Sequence, residues 1–172
     1  MWALASLSPD TIFRASVAQL KRLVLRYRSR LLATCFSILW NIGLLALANA
    51  ILMDVGEHPD WRLYFSLCIG GYRDMFPAFR VSESIAQSLL MMAIDYGAMS
   101  ELDAQKKIQE FCDRVERSTA ALEPTRGFVV DLDLATTDRD AAAVDNLVTR
   151  FEETMAVAEF INMNELYFAT EG

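Results

Sequence analysis

Apolar residues dominate one uninterrupted stretch near the front of the chain, between Leu31 and Met53. Its 23 positions contain no charged side chain, whereas arginines precede it and acidic residues follow it. A membrane-spanning helix needs about 20 apolar residues, so the stretch is long enough to cross a bilayer, and the arginines on its leading side fit the positive-inside pattern. The same stretch suits the interior helix of an all-helical core. The apolar pattern alone leaves both alternatives open.

The spacing of apolar positions predicts six helices. The first, the fifth and the sixth are amphipathic, with an apolar stripe on one face and charged residues on the other. The second, third and fourth, over 31–55, 60–76 and 83–99, are apolar on most sides. Gly70 and Gly71 interrupt the third helix, and we expect them to bend it or to let another backbone approach closely.

Three local signals predict where helices begin. Ser8 followed by Pro9 is typical of an N-cap and a first helical position. Ser100 to Asp103 and Thr137 to Asp140 each have the spacing of a capping box, in which an acid reaches back to the capping residue. Between the last two helices, a loop contains one strand-like piece, Phe128 to Leu134.

These patterns predict an all-α fold, a compact bundle of about six helices whose central helix, 31–55, is largely apolar. The amphipathic helices can cover the apolar ones, which weakens the membrane interpretation. At 172 residues the length suits a single domain, which we expect over 1–160, followed by a frayed acidic tail over 161–172.

Charge is unevenly distributed along the chain. The net charge is −7, yet residues 1–53 carry six basic residues against the single acid Asp10. The remaining acidic part should repel nucleic acid, so we expect no direct DNA contact from this chain. The basic residues of the first helix are expected to form a solvated helix face, although they could touch phosphate or an anionic bilayer.

Residues with catalytic or metal-binding chemistry are few. The three cysteines, Cys35, Cys68 and Cys112, lie far apart in apolar stretches, which favours buried free thiols in a reducing compartment over disulfides or zinc. The only histidine, His58, sits in a turn without a nucleophile near it in sequence. We therefore expect no enzyme activity, no catalytic, metal or cofactor-binding residue, and no cofactor.

Two motifs have a second interpretation. The run from Phe128 to Asp133 ends in D-x-D, which resembles the nucleophile motif of haloacid-dehalogenase-type phosphatases. In that motif one carboxylate attacks phosphorus and both, here Asp131 and Asp133, would help to hold Mg²⁺. Too little chain follows for the required parallel sheet, so a structural loop is the favoured interpretation. The end of the chain mixes acids with large apolar residues, as transcriptional activation segments do, although an ordinary amphipathic helix explains it as well.

The order of several aromatic and apolar motifs resembles a known family. Residues 59–69, with Trp61, Tyr64, Phe65 and Cys68, are followed by Tyr72, by Phe79-Arg80-Val81 and by the helix from Ile85 to Ala93. Together with the later run from Phe128 to Ala135, they resemble the C-terminal part of the regulatory domain of fungal zinc-cluster (Zn2Cys6) transcription factors. Ser88 stands where that family commonly has glycine. The resemblance covers roughly residues 31–160.

The resemblance implies an all-α regulatory domain, a nuclear location and a role in RNA polymerase II transcription. The family binds DNA through an N-terminal cluster of six cysteines and two zinc ions, with C-x2-C-x6-C spacing that this chain lacks, so zinc is expected only in that missing cluster. The chain would then be a C-terminal fragment, a truncated product or a remnant that binds protein partners of the transcription machinery. The alternatives kept open are a single-pass membrane protein anchored between Leu31 and Met53, and a cytoplasmic location.

Overall fold

Six α-helices make up most of the chain that the computed structural model describes, which is residues 8–28, 38–57, 59–113 and 127–170. Over these ranges the fold is all-α, as predicted, and no strand forms. The helices are α1 (Pro9–Arg28), α2 (Ile38–Met53), α3 (Trp61–Met75), α4 (Val81–Asp95), α5 (Glu101–Asp113) and α6 (Val144–Thr170). Short 3₁₀ turns, Val55–Glu57 and Leu134–Thr136, follow α2 and precede α6.

The apolar stretch forms helix α2 over its described part, and residues 31–37 lie outside the described residues. α2 packs against α1 and α3, which bury Leu44, Leu47 and Ile51. Its opposite face remains exposed at Leu39 and Ile42. In the part of the chain with described structure, no helix combines the length and hydropathy that crossing a bilayer requires.

Helix α4 has the largest number of helical neighbours, because it packs against α2, α3, α5 and α6. Its buried apolar side chains include Ile85, Leu89 and Leu90, each with no exposed surface. Ser88 is equally buried, and its hydroxyl donates to the Ser84 carbonyl oxygen at 2.8 Å. The Val144 carbonyl oxygen, at the start of α6, lies 3.5 Å from the same hydroxyl. A small polar residue at this position lets α6 approach α4 closely and leaves no hydroxyl unpaired.

Helix α3 runs without interruption through Gly70 and Gly71. Gly71 gives space to the Leu44 side chain of α2, whose Cδ1 lies 2.6 Å from where a Cβ on residue 71 would be. The nearby Tyr72 phenol donates to the Asn41 carbonyl oxygen at 3.1 Å, which ties α3 to α2 a second time. The close approach that we expected at the glycines is therefore made, at Gly71, by the Leu44 side chain rather than by another backbone.

Helix α4 ends four residues before the predicted Met99 because Gly97 adopts a positive φ of 66°. The Gly97 and Ala98 amides donate to the carbonyl oxygens of Ile94 and Ala93, which is a Schellman arrangement. At the start of α5 the predicted cap is present, since the Asp103 amide donates to Ser100 Oγ at 3.2 Å.

The predicted capping box from Thr137 to Asp140 is wrong as a helix start. α6 begins at Val144, because residues 142–144 are engaged in backbone pairing with the strand-like piece. The Val130 amide donates to the Ala142 carbonyl oxygen, and the Val144 amide donates to that of Phe128. Only a single antiparallel bridge results, between Val129 and Ala143, so the piece is a loop with one bridge rather than a strand.

Ion pairs attach α1 to the turn between α2 and α3. Lys21 Nζ lies 2.8 Å from Asp60 and Arg14 lies 3.1 Å from Glu57, while Val17 and Val24 are buried beneath. At the other end of the chain, α6 continues as a helix to Thr170. Fraying of residues 161–172 stays a prediction.

Trp61 begins α3 with only 9% of its surface exposed, and its ring centroid lies 6.2 Å from that of Phe65. We expect Trp61→Ala to lower the free energy of unfolding by about 3–5 kcal/mol, because it leaves a large cavity in the core. Urea denaturation of the two proteins measures the difference. The matched control is Leu63→Ala on the same helix, where 56% exposure of the leucine predicts a change below about 1 kcal/mol. Equal changes in the two variants would show that Trp61 is not a core residue.

Candidate functional site

The D-x-D motif has a structural role in the turn before α6. Asp131 is 5% exposed, and its Oδ1 accepts the amide hydrogens of Asp133 at 3.1 Å and Leu134 at 2.9 Å. It thereby caps the 3₁₀ turn Leu134–Thr136, whereas Asp133 is exposed. A carboxylate used in this way is poorly placed to attack phosphorus, and the described residues lack the parallel sheet on which that chemistry depends.

Asn49 of α2 fixes the same turn to the helical core. Its amide nitrogen donates to the Val130 carbonyl oxygen at 2.8 Å, and its Oδ1 accepts the Leu132 amide hydrogen at 2.9 Å. A further bond, to the Leu45 carbonyl oxygen at 3.0 Å, orients the side chain on its own helix. Asn49 is 2% exposed, so these bonds form away from water and are costly to break.

Tyr96, at the end of α4, faces the carboxylates of this turn. Burial of the phenol and the negative charges of Asp131 and Asp133 raise the pKa of Tyr96 to about 12, and its hydroxyl donates to Asp131. The neutral phenol is favoured because a phenolate would lose part of its hydration and would lie beside carboxylates, although 38% of the Tyr96 surface is exposed. The turn, α2 and the end of α4 are therefore joined by one polar network around Asp131.

Of the other candidate residues, the structure describes only the side chain of Cys68. Cys68 is buried and takes part in no disulfide bond, as predicted. His58 and Cys35 lie outside the described residues, and nothing is described of the Cys112 side chain. Among the described residues, no three histidine, cysteine or acidic side chains come close enough together to hold a metal ion.

The outer face of α6, defined as Glu153, Val157, Phe160 and Ile161, combines acidic and apolar side chains in solvent. The three apolar residues are 57%, 67% and 51% exposed, and Val157 lies about one helical turn before the consecutive residues Phe160 and Ile161. Phe151 and Ala158, on the opposite side of the same helix, are buried against the bundle. Exposed apolar side chains grouped on one face are typical of protein-binding surfaces.

A groove runs between α3 and α5, which both pack on α4. Its main cavity is about 270 Å³, with Trp61 and Met99 among the lining residues. A smaller cavity of about 120 Å³ shares Ser66, Lys107 and Glu110 with it and extends to Arg73 and Phe111. The groove therefore has apolar and charged lining groups together.

Basic side chains outnumber acidic ones along this groove. Arg62 and Arg73 come from α3, Lys106 and Lys107 from α5, and the acids are Asp103 and Glu110. Lys107 Nζ donates across the groove to Ser66 Oγ at 3.0 Å. Within the described part of the chain, no ion pair of 4.0 Å or less joins Arg62, Lys106 or Lys107 to a carboxylate.

Comparison of the chain with protein-family models, with curated proteins and with solved structures finds no match. The resemblance to the zinc-cluster regulatory domain therefore stays a prediction from the order of the motifs.

Sequence reasoning missed the groove. The signal was present in part, because Arg62, Ser66 and Arg73 recur at helical spacing on α3, and Asp103, Lys106, Lys107 and Glu110 recur on α5. Each stripe alone resembles an ordinary solvated face. Only the packing of both helices on α4 places the two stripes opposite each other.

The pH dependence of the Asp131 network is testable. We expect Tyr96 to titrate near pH 12 and Asp131→Asn to lower that pKa while leaving it above 10, since burial persists. The phenol of the unfolded chain titrates near pH 10. The raised pKa of Tyr96 in the folded protein therefore adds to the free energy of unfolding, and this stabilisation is fully present below about pH 10 and is lost as the pH rises through about 12. Absorbance at alkaline pH, compared with Tyr96→Phe, isolates this tyrosine from the other four.

Asp138→Asn is the matched control, because Asp138 is exposed and accepts the Ala141 amide hydrogen in a different turn. It should leave the pKa of Tyr96 unchanged. A Tyr96 that titrates near pH 10 in the unaltered protein, or that responds equally to both substitutions, would contradict the network.

Proposed function

We propose that this chain is a helical regulatory and protein-interaction domain of a fungal zinc-cluster transcription factor. It acts in RNA polymerase II transcription, in the nucleus, through protein partners and without touching DNA itself. The support is the ordered series of motifs from Trp61 to Met92, which resembles that regulatory domain. In the fold these motifs form α3 and α4, and Trp61, Cys68 and Leu89 are buried side chains of the core.

The outer face of α6 is the surface that we assign to partner binding. This face presents one exposed acid, Glu153, and three exposed apolar residues, Val157, Phe160 and Ile161. A partner that fits it has an apolar groove with a basic rim, because the acid favours positive charge and the apolar side chains favour removal from water. Two more acids, Glu152 and Glu159, are exposed on the edge of α6 that faces α5, where the Gln105 amide nitrogen donates to Glu159 at 3.0 Å.

A non-catalytic role agrees with the environment of Asp131. Asp131 holds a turn through backbone amides and through Tyr96. The buried carboxylate of the phosphatase-like motif therefore has an explanation in the folding of the loop, and an interaction domain requires no reactive group.

A reporter assay tests the proposal. Residues 1–172 are fused to a heterologous DNA-binding domain, and transcription is compared with that from the DNA-binding domain alone. We expect a change in either direction, and we expect Phe160→Ser combined with Ile161→Ser to abolish most of it, because loss of two central apolar contacts weakens a protein interface about tenfold or more.

The matched control combines Leu39→Ser with Ile42→Ser, which removes two equally exposed apolar side chains from α2. This control should retain the full effect on transcription. An unchanged reporter signal with the intact chain would contradict the transcriptional role, and equal losses in both double variants would contradict the assignment of the α6 face.

A further inference from the structure

We propose that the groove between α3 and α5 binds a small molecule that carries two or more carboxylate or phosphate groups. This inference does not depend on the transcriptional role, because it follows from the charges and the shape of the groove. The site is centred on Arg62, Ser66, Lys106 and Lys107, and its ligand would be held between two helices whose spacing is fixed by α4.

The cations of the groove are available for an anionic ligand. Arg62 stacks on the Trp61 ring, with its guanidinium carbon 5.3 Å from the ring centroid, which orients the charge without neutralising it. Lys107 is half-buried and donates to a neutral hydroxyl rather than to a carboxylate. The Lys106 ammonium lies one residue away on the same helix. A ligand carboxylate or phosphate can therefore form charge-assisted hydrogen bonds without displacing an existing ion pair.

Ser66 adds a directional contact. Its oxygen accepts a hydrogen bond from Lys107, so the hydroxyl hydrogen remains available to donate to a ligand oxygen. The Lys107–Ser66 bond also holds both groups in place before a ligand arrives, which lowers the entropic cost of binding.

The groove selects a compact ligand over a polymer. On α5, Asp103 lies about one turn before Lys106 and Lys107, and Glu110 lies about one turn after them. An anionic group of the ligand is therefore attracted to the two lysines, whereas an anion that extends past either acid is repelled. A nucleic-acid strand would also meet a chain with a net charge of −7. The cavity of about 270 Å³ lies just below the size range of small-molecule sites, which begins at about 300 Å³, so it suits a small ligand. Trp61 and Met99 give the carbon skeleton of an organic acid an apolar contact.

The test titrates the ¹⁵N-labelled full chain with citrate and, separately, with pyrophosphate at constant ionic strength. We expect saturable binding of at least one of them with a Kd at or below about 1 mM, reported by the Trp61 indole N–H resonance. The Trp40 indole, which packs with Tyr27 between α1 and α2, should not shift. Tighter binding of citrate would indicate a carboxylate ligand, and tighter binding of pyrophosphate would indicate a phosphate ligand.

Lys107→Gln and Arg62→Gln should each weaken binding about tenfold, because each removes one charge-assisted hydrogen bond. Arg22→Gln is the matched control, since it removes one exposed cation from α1 and changes the net charge equally. Circular dichroism should show all three variants folded, and Lys106→Gln replaces either groove variant that fails to fold. The proposal is overturned if neither probe saturates, if Trp40 shifts with Trp61, or if Arg22→Gln weakens binding as much as the groove substitutions do.

Discussion

Helix α4 must be covered on nearly every side, and this requirement organises the other helices. Most of its 15 residues are buried, including apolar residues and three serines that are each 3% exposed or less. An apolar helix of this kind is stable in water only when neighbouring helices remove it from solvent. Helices α2, α3, α5 and α6 do so. The small side chain of Ser88 lets α6 pack closely against the side of α4 that the other three helices leave uncovered.

The surfaces that carry the proposed functions are consequences of this arrangement. α3 and α5 turn their apolar stripes toward α4, so their polar stripes face each other across the surface groove. α6 buries Leu147 and Phe151 against the bundle and leaves the residues opposite them in solvent. Since α6 extends over 27 residues whereas α4 extends over 15, α4 cannot cover the whole length of α6. The outer face of α6 and the groove are thus separate sites on one scaffold.

The helices were predictable from sequence because their apolar spacing is local information. The positions of α3, α4 and α5 follow from that spacing and from the cap at Ser100, each within a few residues. The start of α6 was not predictable, because the backbone of Ala142 and Val144 pairs with residues far away in sequence, and Thr137 gives the same local signal with or without that pairing. Asn49 illustrates the same limit, since an asparagine inside an apolar helix gives no indication that it binds a loop 81 residues later.

Chemistry was harder to predict than architecture for a related reason. Asp131 and Asp133 match a catalytic D-x-D motif by their spacing, and sequence favoured a structural loop without showing what the aspartates do in it. The role of Asp131 in the turn is visible only from the two backbone amide hydrogens that its carboxylate accepts. The groove depends on two helices that contribute charges from separate stretches of sequence. A charged site formed by two separate helices can be recognised only when the packing of those helices is known.

Native-state hydrogen exchange of the chain, purified without detergent, tests most directly whether neighbouring helices exclude water from the apolar core. The account predicts that the amides of α4 and of the buried part of α2, 44–52, exchange only through cooperative global unfolding and share one opening free energy. Rapid exchange of those amides in detergent-free buffer, with protection gained only in micelles, would contradict it.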